Sequence, residues 1–147
     1  MIALIYIETA RVNHLENSCI HCEIMRPGKG VVMHDTDIQG SSNRALERAR
    51  VDELLRIMSE EDDRKGAIRN GTTVKVYTTN LKIGQEYQKV LLEASLGVLK
   101  KTSAREPYIR LFEMAERKGC RLDFMGSGLL SDDMHSMAMR YLLKKSE

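Results

Sequence analysis

The chain opens on six consecutive apolar residues, Ile2-Ala3-Leu4-Ile5-Tyr6-Ile7, that run straight into the carboxylate of Glu8. A short run of this kind, rich in β-branched and aromatic side chains and uninterrupted by a polar residue, predicts a central strand buried on both faces. Arg11 to Ser18 reads as a turn. Cys19 to Met25 and Val31 to Ile38 are two further β-like runs, separated by the turn signal Pro27-Gly28-Lys29-Gly30. Three antiparallel strands in a meander is the economical arrangement. Gly40-Ser41-Ser42-Asn43 then breaks the pattern and offers an N-cap to a helix beginning near Arg44.

In that helix Val51, Leu54, Leu55 and Met58 recur at the helical period. Glu47 lies four residues before Val51 on the same stripe, so it is expected to point toward the sheet. Residues 59–70 read as a loop, and Thr72 to Thr78 as a fourth strand. A second helix is expected from Leu81 to Lys101 with Tyr87, Leu91, Ala94 and Val98 buried. A third runs from Pro107 to Lys118, with Ile109, Phe112 and Ala115 inward and Gly119 as its C-cap. Arg121 to Met125 is a short fifth strand and Gly126-Ser127-Gly128 a turn. Ser131-Asp132-Asp133 starts a final helix whose inner face is Met134, Met137, Ala138 and Tyr141.

Composition narrows the classes. At 147 residues the chain has the size of one domain, long enough to bury roughly 68–70% of its unfolded surface without a disulfide or metal. No uncharged run approaches the roughly 20 residues of a membrane span. The N-terminal run follows Met1 directly with no basic leader, which fits a strand and not a signal peptide. Three cysteines, an odd number, argue for a reducing compartment and hence the cytoplasm. A net charge of +2 is too mild to imply nucleic acid by itself. Its distribution says more, since Lys100 to Arg121 carries seven basic residues against three acidic ones. That excess is either a solvated helix surface or a backbone-binding one.

Candidate chemistry starts with Glu8. A carboxylate at the mouth of a buried strand needs a cation, a hydrogen-bond network or a metal, unless it turns into solvent. Cys19-x-x-Cys22 invites a zinc or redox assignment, but residues three apart on a strand face opposite sides, which opposes chelation by the pair. Three ordinary thiols is the simpler assignment. Phosphate-binding glycine loops and serine nucleophile motifs are absent from the sequence.

The element order strand-strand-strand-helix-strand-helix-helix-strand-helix resembles the ribonuclease H fold, of the ribonuclease HI type, across nearly the whole chain. Ile5-Tyr6-Ile7-Glu8-Thr9-Ala10 looks like that family's first strand ending in Tyr-x-Asp-Gly-Ser. Ser41-Ser42-Asn43-Arg44-Ala45 before Glu47 looks like its Thr-x-Asn-Asn-x-Ala-Glu entry to the first helix, one residue out of step. Val76-Tyr77-Thr78-Thr79-Asn80 looks like its Thr-Asp-Ser after the fourth strand, and Met134-His135-Ser136-Met137-Ala138 like its Ala-Asp-x-Leu-Ala in the last helix. The resemblance implies an α/β fold over residues 1–147. Its five-stranded mixed sheet would have three antiparallel N-terminal strands and helices on its faces.

It also implies a site. Four carboxylates in that family bind two divalent ions, one activating the attacking water and the other stabilising the leaving oxygen. The equivalent positions here are Glu8, Glu47, Thr79 and His135, of which Glu8, Glu47 and His135 are possible ligands for Mg²⁺ or Mn²⁺. Thr79 carries no charge, and no histidine stands in the loop before the last helix. Asp132 or Asp133 could substitute, or serve as N-terminal helix charges. Leu46 competes with Glu47 for the helix position: spacing from Asn43 favours Leu46, the apolar stripe Glu47.

Two functional expectations follow from the resemblance. One is a degenerate ribonuclease H-like module that binds nucleic acid, such as an RNA–DNA hybrid, or protein, using Lys100, Lys101 and Arg105. The other is an active, divergent metal-dependent endonuclease that cleaves RNA in RNA–DNA hybrids.

Overall fold

The first apolar run forms the centre of the sheet. The computed structural model describes residues 1–11, 17–126 and 131–145, and of residues 17, 131, 132, 135 and 145 the backbone alone. Strand β1 spans Ile2–Arg11, β2 Asn17–Met25 and β3 Val32–Gln39. Helix α1 (Asn43–Ser59), strand β4 (Thr73–Tyr77), helices α2 (Leu81–Ser95) and α3 (Glu106–Lys118), strand β5 (Arg121–Gly126) and helix α4 (Ser131–Lys145) follow. The sheet order is β3-β2-β1-β4-β5. The first three strands form the expected antiparallel meander, while β4 joins β1, and β5 joins β4, in parallel. A strand neighbour on each side, antiparallel β2 and parallel β4, and helices on both faces leave β1 little contact with water, and Ile5 and Ile7 are 0% exposed.

Strand alternation divides the interior in two. Ile5, Ile7, Ile20 and Ile24 face α1, α2 and α3 and meet Leu54, Ile57, Ile83 and Leu111 in the larger core. Ala10 and Cys19 face the other way, onto Ala138 and Leu142 of α4. Cys19 and Cys22 therefore lie in different cores, as their spacing on a strand predicts.

Helix boundaries have local causes. The Ser42 hydroxyl accepts the Ala45 N–H at 3.1 Å and caps α1, and the Asn80 side chain accepts the Lys82 N–H at 3.0 Å and caps α2. Gly119, at φ 62°, ends α3 in the left-handed conformation that glycine adopts without strain. Helix α2 departs from expectation by stopping at Ser95 instead of continuing to Lys101. Gly97 takes φ 71°, and the Glu93 carboxylate then accepts the Lys100 N–H at 3.3 Å and both Arg105 Nη groups at 2.8 Å. Val98, expected inside, is 58% exposed. The buried face of α2 is Ile83, Tyr87 and Val90, with Leu91 and Ala94 only partly covered.

One feature of the sheet prepares the site. Pairing between β1 and β4 ends at Tyr6 and Tyr77, whose rings stack with centroids 4.6 Å apart. Beyond that point Thr78 bonds to Gly126 of β5 and the chain leaves for α2, while β1 continues to Arg11. Glu8 lies where the two strands part.

Candidate functional site

Glu8 is 3% exposed, so its charge requires partners. Thr79, the residue before the α2 cap, gives two: its N–H donates to Glu8 Oε1 at 2.7 Å and its hydroxyl to Oε2 at 2.9 Å. The counter-charge comes from Arg50 of α1, whose Nη2 lies 3.6 Å from Glu8 Oε2. Arg50 is 7% exposed. Burial pulls its pKa below the ordinary value, opposed first by Glu8 and then by Glu47, and a guanidinium keeps its charge regardless. Its Nε has no hydrogen-bond partner among the described residues.

These groups border an open cleft of about 520 Å³, lined also by Leu46, Asn43, Asn80 and Arg11. Leu46, not Glu47, shares the cleft with Glu8. Glu47 accepts the Tyr108 hydroxyl of α3 and pairs with Lys82 Nζ of α2 at 3.3 Å. Burial first, and then the Glu47 carboxylate, push the Tyr108 phenol up. The expectation that Glu47 points at the sheet fails because α1 packs on α3 as well as on the strands, and Glu47 lies on the side that meets Tyr108 of α3 and Lys82 of α2. Leu46, the residue the spacing from Asn43 favours, lines the cleft.

The other implied positions are dispersed or taken. Thr79 serves as a donor to Glu8. The side chains of His135 and Asp132 lie outside the described residues, and Asp133 is exposed. Lys100 and Lys101 are exposed, whereas Arg105 is clamped by Glu93, whose carboxyl that hydrogen bond holds below the usual range. Among the described residues no group of three or more His, Cys, Asp or Glu side chains could hold a metal ion. A divalent ion at Glu8 would stand beside a guanidinium, and Glu8 is the one carboxylate lining the cleft among the described residues, so the described donors do not fit the implied pair of Mg²⁺ or Mn²⁺ ions.

Arg50 is the site residue that sequence patterning overlooked. Its signal was a charge four residues after Leu46 on the buried arc of α1, matching the unexplained buried acid Glu8. A second polar cluster was also missed: His21 is buried, with Nε2 3.0 Å from Glu23 Oε2 and Nδ1 2.8 Å from Asp35 Oδ1. The three cysteines are free thiols, of which Cys19 and Cys22 are buried. Cys19 donates to the Ala138 carbonyl at 3.0 Å and is pushed up to about 11, chiefly by burial. Cys22 donates to Glu53 at 3.4 Å, and burial followed by the Glu53 charge drives it up as well.

Neither a family model nor a curated protein matches the sequence. Solved structures do match the fold. Ribonuclease H1 from Halobacterium salinarum aligns with TM-score 0.58 at 11% identity, covering 96% of this chain and 99% of that one. LC11-RNase H1 in complex with an RNA/DNA hybrid aligns with TM-score 0.55 at 14% identity, with coverage of 96% and 99%. The foamy viral protease-reverse transcriptase, solved in complex with dsDNA, aligns at TM-score 0.59 and 7% identity, covering 94% and 89%. No helix among the described residues is long and apolar enough to cross a membrane. With the same strand order, mixed sheet and helix placement over nearly its full length, this chain has the ribonuclease H-like fold.

Proposed function

We propose that this protein is a nucleic-acid-binding module built on the ribonuclease H-like fold, without the two-metal hydrolytic chemistry its resemblance implies. The observation that supports this is the state of Glu8: both oxygens accept from Thr79, and Arg50 stands 3.6 Å away as its cation. Hydrolysis through two divalent ions requires several carboxylates around them, and Glu8 is the one carboxylate lining the cleft among the described residues, with Arg50 already its counter-charge. Support for the nucleic-acid half comes from fold neighbours solved with an RNA/DNA hybrid or dsDNA and from the exposed Lys100 and Lys101 in a basic segment. Arg105 does not add a phosphate contact in this reading, since it braces the α2–α3 connection.

The test is incubation with a labelled RNA–DNA hybrid in Mg²⁺ and separately in Mn²⁺, with Glu8→Gln beside the wild type, followed by a binding titration. No cleavage is expected in either metal, together with binding that weakens steeply from 50 to 200 mM salt as phosphate contacts release counterions. Cleavage by the wild type that Glu8→Gln abolishes would overturn the non-catalytic part and leave a divergent nuclease. Affinity that stays flat with salt would remove the nucleic-acid part.

A further inference from the structure

We propose that the cleft beside Glu8 takes a phosphate of a nucleic-acid backbone directly on the Arg50 guanidinium, with no metal between them. This inference rests on the nucleic-acid-binding function just proposed and names the group its site receives.

Three observations carry it. Arg50 is nine-tenths buried yet poorly satisfied, since its partner Glu8 is 3.6 Å away and its Nε has none among the described residues. A buried guanidinium with spare donors is suited to an oxyanion, whose geometry its planar fork matches. The surroundings favour an anion too. Arg11 and Arg50 are the basic groups on the cleft wall and Glu8 its one acidic group among the described residues. Asn80 spends its amide oxygen on capping α2, which leaves its NH₂ to donate, and Asn43 brings a second side-chain amide at the first turn of α1. Finally, Glu8 has support besides Arg50, since it accepts the Thr79 N–H and hydroxyl. An incoming phosphate that competes with Glu8 for the guanidinium would leave the carboxylate those two hydrogen bonds.

That competition makes the proposal testable with variants that all leave Thr79 a hydrogen-bond partner at residue 8. Glu8→Gln retains both Thr79 contacts, because an amide oxygen accepts the N–H and an amide NH₂ donates to the hydroxyl oxygen. The double variant Glu8→Gln/Arg50→Met removes both buried charges together, and Arg50→Lys keeps the charge without the fork. Each is titrated with a labelled RNA–DNA hybrid by fluorescence anisotropy, in EDTA and in Mg²⁺, over a range of salt.

Glu8→Gln should bind several-fold more tightly than wild type. The double variant should bind roughly tenfold or more weakly than Glu8→Gln, as expected for a lost charge-assisted contact. Its slope of log affinity against log salt should be shallower by about 0.7–0.9. Arg50→Lys should fall between them, and EDTA should change nothing. Equal affinities and slopes for all four proteins overturn the Arg50 site while leaving nucleic-acid binding intact, as does binding that EDTA abolishes. Absence of binding by the wild type overturns the function on which the inference rests.

Discussion

Glu8 is held by donors from one segment and a cation from another, and the two kinds of support predict different costs. Glu8→Ala leaves Arg50 buried without a counter-charge and orphans the Thr79 N–H and hydroxyl. Removing one member of a buried pair costs about 3–5 kcal/mol, so urea unfolding should show a loss in that range. Glu8→Gln also removes the counter-charge of Arg50 but keeps the Thr79 contacts, so it should lose less than Glu8→Ala. That a carboxylate after Ile7 would need a partner if buried was legible from the apolar run in front of it; that it is buried was not. Nor was the partner, because Arg50 reaches it from α1, a segment distant in the chain. Glu47, equally acidic and on an equally regular stripe, meets Tyr108 and Lys82 instead.

At the scale of the element, helix starts and stops followed residues that act locally. Ser42, Asn80 and Gly119 cap where their chemistry predicts. The end of α2 was misjudged because apolar Leu96 and Val98 continue a helical pattern, whereas the break is imposed by Gly97 and by Glu93 capturing Lys100 and Arg105. Gly84 within the same helix makes a sharper prediction. In an open helix, Gly→Ala gains about 1 kcal/mol. Here a Cβ at residue 84 would come 2.8 Å from Phe124 Cβ of β5, an atom with little freedom to move. Gly84→Ala should therefore destabilise by about 1–3 kcal/mol through overpacking, read as a lower midpoint in thermal or urea unfolding. Stabilisation by this substitution would show that α2 does not sit this close to β5.

Across the whole molecule, the sheet separates two cores, and the cysteines report on them independently. Cys19 lies under α4 and Cys22 under α1, while Cys120 is partly accessible at the start of β5. Since the thiolate is the reactive form, burial that raises Cys19 and Cys22 suppresses alkylation twice over. Alkylation under native conditions should mark Cys120 first by mass spectrometry. Label at Cys19 before Cys22 would mean that α4 opens separately from the rest, and simultaneous label that both cores unfold together.

The sequence by itself determined the elements, their order and the central position of β1, because those depend on periodicities, caps and turns written within a few residues of one another. It also determined that Cys19 and Cys22 point apart, and it singled out Glu8 as a carboxylate that needs partners unless it turns into solvent. Tertiary structure decided what Glu8 is paired with, that Leu46 and not Glu47 borders the cleft, and that Arg105 is a brace. Those outcomes depend on helix rotation and on contacts between segments far apart in the chain, for which a local pattern holds no record. The guanidinium beside Glu8 thus arises from packing between α1 and the end of β1.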